Sequence, residues 1–322
     1  MTRSRPILRE SSAASDSMLE KTAGIVIEKC MGAKASDRVL IVTDSFAEKI
    51  GQALYNAAGK TAKEVFLVKM PLTGVDGAEP AKEVADLMKK FDVVLCPTKH
   101  SLTHTKARKQ AASKGARIAT LPGITEEMFA RAVDVDYDDL KKKCERAGSI
   151  LSKASKVRIL TRSGTDFHIS IRNAKVLEDN GSYTRPGECG NLPAGEVFLA
   201  PKDSAGIIVI DHMRDICRPK TKVAVRGNLV QEVFDKGFRE LMWKYENARN
   251  VAEFGIGLNP KAIVSGSTLE DEKVLGTCHI AFGSNFDFGG RVKAEVHWDA
   301  VLLKPTIHID DKKIMDEGDL LL

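Results

Sequence analysis

No run of about 18 consecutive apolar residues occurs in the chain, so a membrane-spanning helix is not expected. The opening segment MTRSRPILRESSAASDS lacks the apolar core of a secretory signal and reads as a loosely ordered polar tail. Aromatic residues are scarce, at 6%, which leaves no stacking platform for nucleic acid. Positive charge is thinly spread: the net +5 is distributed over 322 residues. Its one tight run, Lys141 to Lys143, follows Asp138 and Asp139 in the manner of a solvated helix face. Neither nucleic acid nor membrane is therefore an expected partner. The six cysteines (Cys30, Cys96, Cys144, Cys189, Cys217 and Cys278) form no CxxC pair, and fit reduced, mostly buried thiols of a cytoplasmic protein. A nucleophilic role for Cys189 or Cys278 is a minor alternative. No GxGxxG follows the apolar run Val39 to Val42, which excludes a dinucleotide fingerprint. HSLTH (His100 to His104) lacks the glutamate that a zinc-protease helix carries beside its first histidine.

What is present falls into two textures. In the first, short apolar runs alternate with helical stretches. Ser17 and Glu20 stand in capping-box spacing before MLEKTAGIVIEKCM, with Gly32 as its stop. Strands are expected at Val39–Val42, Val65–Val68, Val93–Cys96 and Arg117–Leu121. Helices are expected between them, through Ile50–Ala58, Ala81–Lys90 and Thr105–Lys114. Continuous apolar strands separated by helices imply a parallel sheet covered on both faces. After Ser155 the pattern alternates apolar and polar residues, beginning with a hairpin that turns at Ser163–Gly164 and interrupted by one helix from Glu232 to Ala252. The expected fold is thus an α/β domain with a parallel sheet over residues 1–152, followed by a mainly antiparallel, β-rich domain over residues 153–322.

The chemistry concentrates in the second part. His297 and Asp299 stand two apart in VHWDAVL, so on a strand both point to one face while Trp298 points to the other. Imidazole and carboxylate on one face can converge on a divalent metal. His279 begins another β run, Glu196 follows the tight turn of NLPAGEVFLAP, and Glu253 lies beside glycines in AEFGIGLNP. These five residues make the set that a dinuclear centre needs, since a metal pair takes about five protein ligands. In such a centre one ion generates hydroxide near neutral pH and the other polarises a carbonyl. A carboxylate-rich set leaves zinc, cobalt, manganese and iron open.

NLPAGEVFLAP, AEFGIGLNP, EDEKVLGTCHIAFGSN and VHWD together resemble the metal-binding blocks of the aminopeptidase T family of metallo-aminopeptidases. The resemblance implies two divalent ions (zinc, cobalt or manganese) held by Glu196, Glu253, His279, His297 and Asp299. It also implies an α/β domain joined to a β-rich one, and a homodimer. On this reading the chain is a hydrolase of N-terminal peptide bonds, with Glu253 as base or bridging ligand. One position departs: where the peptidases carry a tyrosine seven residues after the first histidine, this chain has Phe286.

The chain also resembles the 2,5-dihydroxypyridine 5,6-dioxygenase family, which implies one ferrous ion held by His279, His297 and Asp299 and a small aromatic substrate. In that case His104 suits a general base and Arg108 a carboxylate-binding group, just after the strand Val93–Cys96, where clefts of parallel sheets form. His168 is a further substrate-binding candidate. A third reading is a metal-binding homologue without turnover, supported by Phe286. Oxygen uptake against amine release separates the two enzymes.

Overall fold

The computed structural model of the chain describes residues 7–322, with side chains from Asp16 onward. In chain order the elements are α1 (Ile7–Ile25), β1 (Arg38–Thr43), α2 (Glu48–Ala58), β2 (Glu64–Lys69), α3 (Lys82–Met88), β3 (Val93–Thr98), α4 (Lys106–Ser113), β4 (Arg117–Pro122), α5 (Glu126–Ala132) and α6 (Tyr137–Lys153). There follow β5 (Lys156–Leu160), β6 (Asp166–Ser170), β7 (Val176–Asp179), β8 (Cys189–Asn191), β9 (Glu196–Leu199), β10 (Asp203–Ile210), β11 (Thr221–Arg226), β12 (Leu229–Val233) and α7 (Lys236–Lys244). The chain ends through β13 (Val251–Gly257), α8 (Thr268–Asp271), β14 (Thr277–Gly283), β15 (His297–Leu303), β16 (Thr306–Ile309), β17 (Lys312–Asp316) and β18 (Asp319–Leu320).

Two compact units result. The first comprises the described residues up to Tyr137 together with Gly181–Ala194, the second Asp138–Asn180 and Gly195–Leu322. The division is therefore not a single cut at residue 152: α6 groups with the β-rich unit, and β8 returns to the α/β unit. In the first unit the strands lie in the order β2-β1-β3-β4-β8, all pairs parallel. Both faces are apolar, as the continuous runs require. Leu40, Val42, Val94, Cys96 and Ile118 form a buried cluster with Val84 and Met88 of α3 and Ala107 and Ala111 of α4. Val39 and Ile41, which point the other way, are equally buried.

The second unit holds two antiparallel sheets, in the orders β12-β11-β10-β6-β5-β16-β17-β18 and β15-β14-β13-β9-β7. β5 and β6 alternate buried and exposed positions, so one face of the larger sheet meets water. By contrast β13 and β14 are buried at every residue.

Two local expectations are corrected. Residues 1–6 of the expected tail lie outside the described residues, but α1 begins at Ile7 and Ser17 sits within it rather than at its cap. The expected helix from Glu232 to Ala252 is confined to Lys236–Lys244, capped by Asp235 Oδ1 accepting from the Phe238 N–H at 2.9 Å. Val251–Gly257 is strand instead, because β-branched and aromatic residues between paired neighbours override the helical signal upstream. Glu253 is therefore a strand residue, which decides its direction. Among the described residues no helix is long and apolar enough to cross a membrane.

Candidate metal centre

Cross-strand register determines which side chains meet. Glu196 pairs with Gly257, His279 with Gly255, Glu253 with Ala281, Asp299 with Ala281, and His297 with Gly283. Paired residues project to the same face, as do residues two apart on a strand. All five charged side chains consequently emerge from one face of the five-stranded sheet. Asp179, opposite Glu196, and Phe198, opposite Gly255, join them there. Each of the five has a glycine or alanine as cross-strand neighbour, and this clears space for the converging tips. A Cβ on Gly255 would collide with the imidazole of His279.

The tips converge closely. His279 Nε2 lies 3.2 Å from Glu253 Oε1 and 3.5 Å from Glu196 Oε2. His297 Nε2 lies 3.3 Å from both Glu253 Oε2 and Asp299 Oδ1. Glu253 therefore spans the two imidazoles with its two oxygens. The Nδ1 of His297 is 2.8 Å from the carbonyl oxygen of Ser284, the partner that makes Nδ1 the N–H and leaves Nε2 to ligate. Two groups of potential ligand atoms result, each mutually within 4.8 Å: Glu196, Glu272 and His279 in one, Glu253, His297 and Asp299 in the other.

Glu272 was not among the sequence candidates, and neither was its neighbour Lys273. The Lys273 side chain is only 1% exposed, and its Nζ lies 2.5 Å from Glu196 Oε1, 2.6 Å from Glu272 Oε1 and 3.6 Å from Asp179 Oδ2. The sequence signal, a run of four charges at Glu270–Lys273, ordinarily marks a solvated surface. Here Glu270 and Asp271 are also buried, accepting backbone N–H groups from Ile263 and from Ser265 and Gly266.

Electrostatics follow from this crowding. Burial opposes charge on His279, but Glu253, Glu196 and Asp299 outweigh it and raise its pKa to about 9. His297 moves the same way, against burial, through Asp299 and Glu253. Burial also opposes Glu253, whose bonds to the two imidazoles nevertheless draw it down to about 2. Burial pushes Glu196 up to about 6 and Glu272 up to about 8 despite the nearby ammonium. Lys273 is disfavoured by burial yet held protonated by Glu196, Glu272 and Asp179.

A metal-ligating imidazole must be neutral, so metal uptake at pH 7 is expected to expel protons from His279 and His297. Affinity for Mn(II) or Co(II) should then rise by roughly one to two powers of ten per unit between pH 6 and 8, one for each proton displaced. Calorimetric titration in buffers of different ionisation enthalpy measures this directly, and a pH-independent affinity with no proton release would refute it. For the metal-free fold the sign is opposite. The His279 contribution to stability is full below the unfolded imidazole value of about 6.5 and is lost as pH rises through about 9.

The donor set fits a divalent cation. Glu196 Oε2, Asp299 Oδ1 and His279 Nδ1 are buried with no hydrogen bond among the described residues, the two carboxylate oxygens facing imidazole nitrogens at 3.5 and 3.3 Å. Buried carboxylate oxygens of that kind are matched by a cation or not tolerated.

The remaining candidates are not members of these groups. His104 is exposed in the turn before α4, and Arg108 lies in the first turn of α4; both belong to the first unit. The guanidinium of Arg108 donates to Thr103 O at 2.6 Å and to Cys189 Sγ at 2.9 Å, so two of its donors hold the local loop. His168 is on β6 of the larger sheet, 60% exposed and 3.3 Å from Asp166 Oδ1, and is not one of the convergent ligands. Cys278 is fully buried on the opposite face from His279, and burial pushes its thiol far up, which removes it as a nucleophile. Phe286, at the position of the peptidase tyrosine, is 50% exposed, and Lys293 Nζ stands 4.0 Å from its ring centroid.

Fold and donor set together define the class: an α/β-plus-β enzyme with a carboxylate–imidazole centre. More narrowly, the chain belongs to the 2,5-dihydroxypyridine 5,6-dioxygenase family, whose NicX profile matches residues 26–322. A relative from Pseudomonas putida KT2440 with that name is 26% identical over 273 residues, covering 78% of this chain and 75% of the relative. The solved structure of the 2,5-dihydroxypyridine dioxygenase from Pseudomonas putida KT2440 superposes with a TM-score of 0.81 at 19% identity, covering 95% of this chain and 97% of the other. AmpT from Thermus thermophilus superposes with a TM-score of 0.73 at 16% identity, covering 95% and 99%. At such identities the two superpositions speak for the fold.

The expectation of an aminopeptidase-type hydrolase is overturned by the family match and by the relative's name, both of which specify a dioxygenase. The physical reason for the error is that both enzyme types share this fold. Sequence blocks that place carboxylates and imidazoles on one strand face do not by themselves report the reaction.

Proposed function

We propose that this chain is a ferrous-iron dioxygenase that opens a hydroxylated pyridine or a closely related small aromatic ring. The observation that carries the reading is that His279 of β14 and His297 and Asp299 of β15 emerge from one face of the five-stranded sheet, with His297 Nε2 3.3 Å from Asp299 Oδ1; two imidazoles and a carboxylate are the donor types of non-haem iron oxygenases. Glu253 completes it with one oxygen beside each imidazole. A bound ferrous ion would supply the redox chemistry that lets dioxygen react with the ring, and both oxygen atoms enter the product, so no external reductant is consumed.

The chain's own residues do the rest. The Ser284 carbonyl fixes the tautomer and orientation of His297. Glu253, held anionic by the two imidazoles, places one oxygen beside each Nε2 and so fixes both rings relative to one another. An aromatic wall adjoins the site. The Phe288 ring stands edge-to-face with His297 at 5.6 Å, and with Phe198 at 5.7 Å. Such a wall favours a flat aromatic substrate over an extended peptide.

The test is oxygen consumption. Protein loaded anaerobically with Fe(II) is expected to consume one O2 per molecule of 2,5-dihydroxypyridine, with loss of the substrate's aromatic absorbance. A flat oxygen trace from protein shown to retain iron, across hydroxypyridines and catechols, would remove the reading.

A further inference from the structure

The two ligand groups differ in one respect: one already contains a cation. Glu196 Oε1 and Glu272 Oε1 both contact Lys273 Nζ, at 2.5 and 2.6 Å, and Asp179 Oδ2 approaches the same nitrogen at 3.6 Å. The ammonium is enclosed, with 1% of the side chain exposed. In the other group, the ion pairs of Glu253 and Asp299 among the described residues are to histidine alone. A divalent ion placed between Glu196 and Glu272 would need oxygen contacts of about 2.0–2.2 Å, closer than the ammonium's own. It would then stand against a buried positive charge with little solvent to screen the repulsion.

We propose that Lys273 is the resident cation of the Glu196–Glu272 half of the centre, taking the place of a second divalent ion there and so confining the metal to the side of Glu253, His297 and Asp299, which Glu253 Oε1 links to the shared His279 at 3.2 Å. Lys273 is a positioning residue. It neutralises Glu196 and Glu272, keeps them from recruiting a second metal, and orients Glu196 so that its Oε2 faces His279 Nε2. Without it the same carboxylates form an acidic pocket of the kind that binds a second hard cation. This inference rests on the metal centre proposed above, but not on the reaction assigned to it.

The experiment is metal counting on the full chain with Mn(II) as the probe, by elemental analysis and electron paramagnetic resonance. Wild-type protein is expected to hold one Mn(II) per chain, with the signal of an isolated ion. Lys273→Met and Lys273→Gln are expected to hold two, with a spin-coupled signal, while Lys273→Arg stays at one. Two ions in saturated wild-type protein would overturn the proposal, whether or not the variants fold. So would a count of one in folded Met and Gln variants. A wild-type chain that holds one Mn(II) yet, when reloaded anaerobically with Fe(II), consumes no oxygen with hydroxypyridines or catechols would overturn the dioxygenase assignment and leave the role of Lys273 standing. Binding of no ion at all would remove both.

Discussion

Asp299→Ala is expected to leave a folded chain that retains almost no divalent metal, with metal-dependent oxygen uptake reduced by more than about 100-fold. Loss of groups that merely support metal ligands already costs 10–100-fold, and Asp299 stands among the proposed ligands themselves. Its Oδ1 is buried, makes no hydrogen bond among the described residues, and faces His297 Nε2 at 3.3 Å, so no described side chain stands ready to replace it. Glu196→Gln should behave differently. An amide oxygen still accepts from Lys273 Nζ, and the Glu253–His297–Asp299 group is untouched. One ion per chain should remain, with affinity within about tenfold of wild type, since only an outer contact is altered. Elemental analysis after desalting, with circular dichroism as the check on folding, compares the two. Equal loss of metal in both variants would show that the five candidate ligands act as one undivided set.

Much of this organisation was legible in the sequence, and for identifiable reasons. The runs Val39–Val42 and Val93–Cys96 are continuously apolar because both faces of a parallel sheet are covered, so period and length sufficed. His297 and Asp299 were placed on one face by the two-residue repeat alone, and β15 has that geometry. The assembly of Glu196, Glu253, His279, His297 and Asp299 depends on something else, namely the order β15-β14-β13-β9-β7 and its register. No local pattern specifies which strands become neighbours, and here the family blocks stood in for that knowledge. Lys273 was invisible for a related reason. A lysine flanked by acids reads as a surface pair, and only the enclosed end of β9 beside α8 turns it into a buried cation. The reaction itself was misread because a dinuclear hydrolase and a mononuclear oxygenase can draw on the same carboxylates and imidazoles.

The second large effect is expected at a residue that ligates nothing. Gly255 pairs with His279 across β13 and β14, and a Cβ there would overlap Cε1 and Nε2 of the His279 ring. The imidazole is wholly buried, so it can make room only by rotating, which takes Nε2 away from Glu253. Gly255→Ala is therefore expected to lower Mn(II) or Fe(II) affinity by about 10–100-fold, the range seen when a ligand loses its orientation. Overpacking should cost about 1–3 kcal/mol of stability in addition. A double-mutant cycle separates this from general damage. If the clash is with the ring, Gly255→Ala should be nearly neutral for stability in a His279→Ala background, giving an interaction energy of about 1–3 kcal/mol. Gly257→Ala is the contrasting case. Its Cβ would meet the backbone carbonyl of Val274, which no side-chain rotation relieves, so it should impair folding in either background. Undiminished metal affinity in Gly255→Ala would mean that His279 does not hold the metal through the Nε2 that faces Glu253, and the centre would have to be drawn without it.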